Sequence, residues 1–109
     1  MNAILVLAGL SGAMAVAAGA FGAHGAQGQA AEWLRTGGLY QLIHAVAAVA
    51  VLSFARLPAW LFLGGGLVFG GSLYLMALGA PRGLGAVTPI GGALMIGGWL
   101  WLAWTAGRG

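Results

Sequence analysis

A histidine in an apolar part of the chain is the side chain most able to do chemistry. His44 lies four residues after Tyr40 and three after Gln41, so the three side chains share one helix face. Histidine titrates near neutral pH, which would suit a proton relay or a ligand site. A neutral imidazole also serves as a hydrogen-bonding group between membrane helices. The spacing therefore predicts a polar cluster around His44, with a functional and a structural interpretation both open.

The rest of the composition leaves little for catalysis. The chain has no cysteine, two histidines and one acidic residue, Glu32. This is a small ligand set for a metal, and we predict neither a metal site nor a cofactor. A Ser–His–acid triad would need Glu32, and paired carboxylates cannot occur with one acid. The sequence therefore predicts a protein that is not an enzyme and has no catalytic residues.

Low charge indicates that these residues belong to a membrane protein. Charged residues make up 5% of the chain and hydrophobic residues 61%. Soluble domains carry charge on about 25% of positions, so this chain cannot coat a surface that faces water. High hydrophobicity also excludes a disordered chain. The arginines are scattered singly, which argues against a nucleic-acid partner.

Four apolar windows are long enough to cross a bilayer as helices. Each would be roughly 27–32 Å long, and they cover residues 2–23, 38–55, 59–79 and 88–106. Residues 27–36 carry Glu32, Trp33 and Arg35 and are predicted to form a short interfacial helix. An ordinary solvated loop is the alternative. We therefore predict an all-α membrane protein with a single transmembrane domain over residues 1–109. Its architecture would be a compact four-transmembrane-helix bundle with a short interfacial helix in the first connection.

Aromatic and basic residues near the ends of the windows are predicted to anchor the bundle at the membrane interfaces. These anchors are Trp33, Trp60, Trp101, Trp104, Arg56, Arg82 and Arg108. The predicted topology puts two arginines on each side, so the positive-inside rule gives no orientation. The turns between the later windows are predicted at Arg56–Pro58 and at Ala80–Gly83.

Small residues are predicted to hold the helices together, because they let the backbones approach closely in lipid. The chain contains 22 glycines. The predicted packing positions are Gly12, Gly19, Gly66, Gly70, Gly91 and Gly92.

Polar side chains are predicted to gather in the leaflet on the side of the first connection, here called the His24 side. On the predicted window, His44 lies roughly 9–10 Å inside the membrane. A hydrogen bond from His44 to Ser72, Gln41 or Tyr74 is then reasonable. The candidate polar cluster or ligand-binding residues are His24, Tyr40, Gln41, His44, Ser72, Tyr74 and Thr88.

Three sequence motifs resemble domain-of-unknown-function family 423, small bacterial membrane proteins related to the eukaryotic transmembrane protein 256 family. They are residues 19–25, residues 40–45 and residues 70–74, the last followed by residues 88–92 and by Gly98-Trp99. The resemblance extends over nearly the whole chain. It implies four membrane helices, the bacterial cytoplasmic (inner) membrane and no established activity. The chain departs from the family at Gly70-Gly71-Ser72, where Phe-Ser-Gly-Ser is frequent.

The sequence favours two functions, and an enzyme that acts on lipid ranks last. The first is a non-enzymatic accessory or interaction protein that binds a lipid or a membrane partner, as part of a larger complex or by self-association. Low charge and dense glycine favour it. The alternative is a small transporter or ligand-binding protein with a shallow polar pocket in one leaflet. Its ligand would be quinone-like, a lipid or a proton.

Overall fold

Four long helices make up most of the chain. The computed structural model describes residues 2–109. The helices are α1 (Ala3–His24), α2 (Gly28–Val51), α3 (Arg56–Ala77) and α4 (Thr88–Arg108), with a short 3₁₀ helix (Arg82–Ala86) before α4. All four α-helices are long and apolar enough to cross a membrane. The predicted all-α, four-helix membrane fold is confirmed.

The first connection is much shorter than the sequence suggests. Residues 25–27 join α1 to α2, and α2 begins ten residues before the predicted second window. Gly28 has a φ of +61°, a conformation that glycine adopts without strain and that permits the tight reversal. Residues 28–36 are helical, but they form the first part of α2 and not a separate interfacial helix. Nothing in this stretch interrupts a helix, since it contains no proline.

The second reversal also differs from the predicted position. Residues 52–55 connect the helices, and α3 already begins at Arg56. Pro58 therefore lies in the first turn of α3, where its missing N–H has no helical partner to lose. The third connection follows Gly79, whose φ of +109° is again in the region that favours glycine.

Each helix packs mainly on its neighbours in the chain, with a lighter contact between α1 and α3. The α2–α3 pair is central and contributes most of the buried residues, whereas α1 and α4 expose most of their length to the bilayer. An apolar core lies away from the His24 side. It comprises Ile4, Ala8, Ala47, Ala48, Val51, Ala59, Phe62 and Leu63.

Four of the six predicted packing glycines lie at close helix contacts. Gly66 and Gly70 face α2, and a Cβ on Gly91 would lie 2.8 Å from the Gly65 carbonyl oxygen of α3. Gly19 packs against Gly38 of α2, and a Cβ added to Gly38 would lie 3.2 Å from the Gly19 nitrogen. The other two are more open. Gly12 has Leu42 at 4.0 Å, and a Cβ on Gly92 would meet open space.

Candidate functional site

Gln41 is a fully buried polar side chain at the centre of the protein. Its Nε2 donates to the Ser11 Oγ at 2.9 Å and to the Met14 Sδ at 3.5 Å. Its Oε1 accepts from the Tyr74 hydroxyl at 2.7 Å. One amide therefore links α1, α2 and α3, with its oxygen and its nitrogen both hydrogen-bonded.

Glycines make room for the Gln41–Tyr74 hydrogen bond. A Cβ on Gly37 would lie 2.7 Å from Tyr74 Cε1, and a Cβ on Gly70 would lie 3.0 Å from the Tyr74 hydroxyl. A Cβ on Gly66 would lie 3.5 Å from Gln41 Cα, which places this part of α2 close to the backbone of α3. The glycine at position 70 therefore has a structural reason in this chain, because a larger residue would displace the tyrosine hydroxyl.

His44 links α2 to α4. Trp99 Nε1 donates to His44 Nε2 at 3.0 Å, and His44 Nδ1 lies 2.7 Å from the Tyr40 carbonyl oxygen. An indole N–H can only donate, so Nε2 must accept and Nδ1 must carry the proton. The ring also packs edge-on against Phe62, at 5.5 Å between ring centres. The geometry therefore fits a neutral imidazole whose two nitrogens are both occupied.

A further hydrogen bond joins Ser72 of α3 to Thr88, the first residue of α4. Ser72 donates to the Phe69 carbonyl oxygen at 3.0 Å, so Thr88 is the donor in the hydrogen bond between the two hydroxyls. Together with the Gln41 and His44 bonds, this pair connects all four helices. Every buried side-chain nitrogen or oxygen within residues 2–109 has a hydrogen-bond partner.

The short first connection changes where Gln41 and His44 lie along α2. Because α2 begins at Gly28, Gln41 lies about 20 Å from its start and about 15 Å from its end. Its backbone is opposite Gly66, which is at the midpoint of α3. His44 lies nearer the end of α2, about 10 Å from Val51. Ser72 and Thr88 do lie toward the His24 side, at the end of α3 and the start of α4.

The predicted partners of His44 are also different. It bonds to Trp99 and to a backbone carbonyl, and not to Ser72, Gln41 or Tyr74. His24 lies exposed at the end of α1, away from the other candidates.

Sequence reasoning missed Ser11 and Met14 as partners of Gln41, and Trp99 as the partner of His44. For Ser11 and Trp99, the sequence does contain a sign that they need a partner. Ser11 and Trp99 fall near the middle of predicted membrane windows, where no water satisfies a hydroxyl or an indole N–H. Such donors need a partner on another helix or on their own backbone.

The predicted interface anchors occupy several environments. The Arg82 guanidinium carbon lies 5.5 Å from the centre of the Trp33 ring, which joins the 3₁₀ helix to the first part of α2. Arg56 begins α3 and Arg108 ends α4, while Trp101 and Trp104 are exposed on α4. Trp60 is exposed and lines a groove between α1 and α3.

Two grooves lie on opposite flanks of the α2–α3 pair. The Gln41 groove, between α1 and α3, has a volume of about 330 Å³ and is lined by Leu7, Leu10, Ser11, Met14, Gln41, Trp60, Leu63, Gly64 and Leu67. The His44 groove, between α2 and α4, has a volume of about 410 Å³ and is lined by Thr36, Tyr40, His44, Phe69, Gly92, Met95, Ile96 and Trp99. Within residues 2–109, no group of three or more His, Cys, Asp or Glu side chains is placed to hold a metal ion.

The four helices define a polytopic membrane protein, and its buried polar side chains form hydrogen bonds between helices. Residues 18–92 match the family described as "Protein of unknown function (DUF423)", and the chain belongs to that family. It is also 42% identical over 83 residues to a Haemophilus influenzae protein named "UPF0382 membrane protein", an alignment that spans 70% of this chain and 67% of the relative. No solved structure matches the chain. It is an integral protein of the bacterial cytoplasmic membrane.

Proposed function

We propose that this protein is a non-enzymatic interaction protein that binds a lipid or a transmembrane segment of a partner along its lateral grooves. One observation carries the proposal. The buried polar atoms are satisfied within the protein, while two largely apolar grooves stay open on its flanks. Binding by such a surface needs no catalytic group.

The hydrogen bonds of Gln41 and His44 favour a binding function over transport. A proton relay needs groups that take up and release protons along a path through the membrane. Gln41 does not titrate, and both ring nitrogens of His44 are hydrogen-bonded within the protein. Protonated His44 would place an N–H against the Trp99 N–H, so charging this ring would break a contact between α2 and α4. These features support a structural role for the Gln41 and His44 side chains.

The size and position of the grooves support a ligand from the bilayer. Volumes of about 330 Å³ and 410 Å³ fall at the lower end of the range for small-molecule sites, about 300–1,000 Å³. Both grooves lie along helices that cross the membrane. A ligand or a partner helix would therefore approach sideways through lipid.

Two open glycines provide a matched test. A Cβ on Gly64 in the Gln41 groove, or on Gly92 in the His44 groove, would meet open space. Gly64→Leu and Gly92→Leu should therefore fill one groove each without disturbing the helix contacts. The measurement is native mass spectrometry of untagged protein extracted gently from its own membranes.

We expect the wild type to carry a lipid-sized mass or a partner chain, and at least one of the two variants to lose it. A wild-type protein that carries neither would overturn the proposal. So would an adduct that both variants and the double variant retain at the wild-type level.

A further inference from the structure

The His44 groove contains a hydroxyl that the protein leaves unpaired. Tyr40 is 44% exposed in this groove. None of the side-chain hydrogen bonds among residues 2–109 involves its hydroxyl. The same holds for the hydroxyl of Thr36, which lies one helical turn earlier in the same groove. The groove therefore offers two free hydroxyls on one wall.

Tyr40 lies near the start of the apolar part of α2. Glu32 and Arg35 precede it on the same helix, and residues 38–51 are apolar apart from Tyr40, Gln41 and His44. A tyrosine on a helix points toward the helix N-terminus, so its hydroxyl is displaced toward the His24 side. An acyl tail beside the groove offers this hydroxyl no acceptor, whereas a ligand with a carbonyl group would.

Aromatic rings line the groove beside Tyr40 and would suit a flat ligand. Tyr40 and Phe69 have ring centres 5.0 Å apart, and Trp99 forms part of the same groove. Aromatic faces and edges pack well against another planar ring. His44 offers no free nitrogen, because Trp99 and the Tyr40 carbonyl occupy both. The polar contact to a ligand would therefore come from Tyr40, with Thr36 one turn away.

We propose that the His44 groove binds an isoprenoid quinone, with a ring carbonyl accepting a hydrogen bond from the Tyr40 hydroxyl. This inference rests on the proposed function and specifies its ligand. A quinone is a mostly apolar molecule that lives in the hydrocarbon region and carries carbonyl acceptors on a flat ring. A phospholipid is the weaker match, because it has no planar ring to pack against the aromatic side chains of the groove. The quinone ring would pack against Tyr40, Phe69 and Trp99, and the isoprenoid tail would leave sideways between α2 and α4.

The test uses the full chain in nanodiscs of phosphatidylethanolamine and phosphatidylglycerol. The probe is a photoreactive short-chain ubiquinone analogue, with decylubiquinone as competitor and peptide mass spectrometry to locate the label. We expect saturable labelling on α2 or α4 that decylubiquinone displaces. Tyr40→Phe should weaken binding about tenfold, the effect of one lost hydrogen bond. Gly92→Leu should abolish binding, and Gly64→Leu should leave it unchanged.

Several results would overturn the quinone assignment. One is labelling that does not saturate or that decylubiquinone does not displace. Others are wild-type affinity in Tyr40→Phe, or loss of binding in Gly64→Leu but not in Gly92→Leu. Circular dichroism and gel filtration of each variant identify a folding defect, and Tyr40→Phe keeps the ring. If the native adduct depends on Gly92 but has a phospholipid mass, the quinone assignment fails while the proposed function stands.

Discussion

The two grooves use their polar residues in different ways. In the Gln41 groove the amide is saturated by Ser11, Met14 and Tyr74, and leucines form much of the remaining wall. In the His44 groove the imidazole is equally saturated, but the Tyr40 hydroxyl on the same helix has no partner among residues 2–109. The first groove therefore offers mainly apolar surface and a Ser11 hydroxyl that already accepts from Gln41, whereas the second offers a tyrosine hydroxyl that makes no side-chain hydrogen bond in the described residues.

This difference separates two roles that polar residues have in a membrane. A buried side chain with all its partners supplied by other helices contributes to packing, at about 0.6–2 kcal/mol for each hydrogen bond. A polar group left free in a groove adds no hydrogen bond to the fold and is available to a ligand. His44 attracts attention in the sequence, yet by this criterion its neighbour Tyr40 is the better ligand contact.

The largest expected effects come from the glycines that attach the outer helices and so form each groove. A Cβ on Gly91 would collide with the Phe69 backbone, and a Cβ on Gly38 would lie 2.8 Å from the Ala15 carbonyl oxygen. Gly91→Leu should separate α4 from α3, and Gly38→Leu should separate α1 from α2. We expect each to lower the free energy of unfolding by about 3 kcal/mol, because backbone atoms cannot move aside as a flexible side chain can.

Unfolding by sodium dodecyl sulfate in mixed micelles, followed by circular dichroism, measures this loss. Gly92→Leu and Gly64→Leu are the matched controls, since both positions face open space. Their free energies should stay within about 0.5 kcal/mol of wild type. Equal stability of Gly91→Leu and Gly92→Leu would contradict the packing described for α3 and α4.

Intermediate effects are expected from the hydrogen bonds at the floors of the grooves. Gln41→Leu removes the acceptor of Tyr74 and the donor to Ser11, and we expect a loss of about 2 kcal/mol. Trp99→Phe removes one donor to His44 and should cost about 1 kcal/mol. The same unfolding experiment measures both.

A double-mutant cycle isolates the Gln41–Tyr74 hydrogen bond. Tyr74→Phe should cost about 1 kcal/mol in the wild type and close to nothing once residue 41 is leucine. Additive losses would mean that the two side chains do not interact energetically, and Gln41 would then not be the link between α2 and α3.

The sequence predicts the four-helix membrane fold well, because apolar length is a direct consequence of bilayer thickness. It predicts the start of α2 poorly. Residues 28–37 are more polar than the spans, yet nothing in them stops a helix, and the reversal depends on the backbone of Gly28. The predicted window therefore began at residue 38, so that His44 lay nearer the start of its helix than it does in α2.

The candidate residues were found more readily than their partners. Gln41, His44 and Tyr74 are conspicuous as polar groups in apolar windows. Their partners depend on helix rotation, which residue type does not specify, so the Trp99 contact and the Ser11 contact emerge only from the packed helices. Whether Tyr40 is paired or free also depends on that rotation.

The smallest expected change in the free energy of unfolding, that of Tyr40→Phe, tests the difference between the two grooves most directly. In quinone-free detergent, Tyr40→Phe should leave the free energy of unfolding within about 0.5 kcal/mol of wild type, because the hydroxyl has no partner in the protein and the ring contact with Phe69 remains. Tyr74→Phe is the matched control and should lose about 1 kcal/mol, since its hydroxyl is bonded to Gln41. Adding decylubiquinone should raise the stability of the wild type by mass action and raise that of Tyr40→Phe less. A Tyr40→Phe protein as destabilised as Tyr74→Phe would mean that the Tyr40 hydroxyl contributes to the fold, and the contrast between the two grooves would disappear.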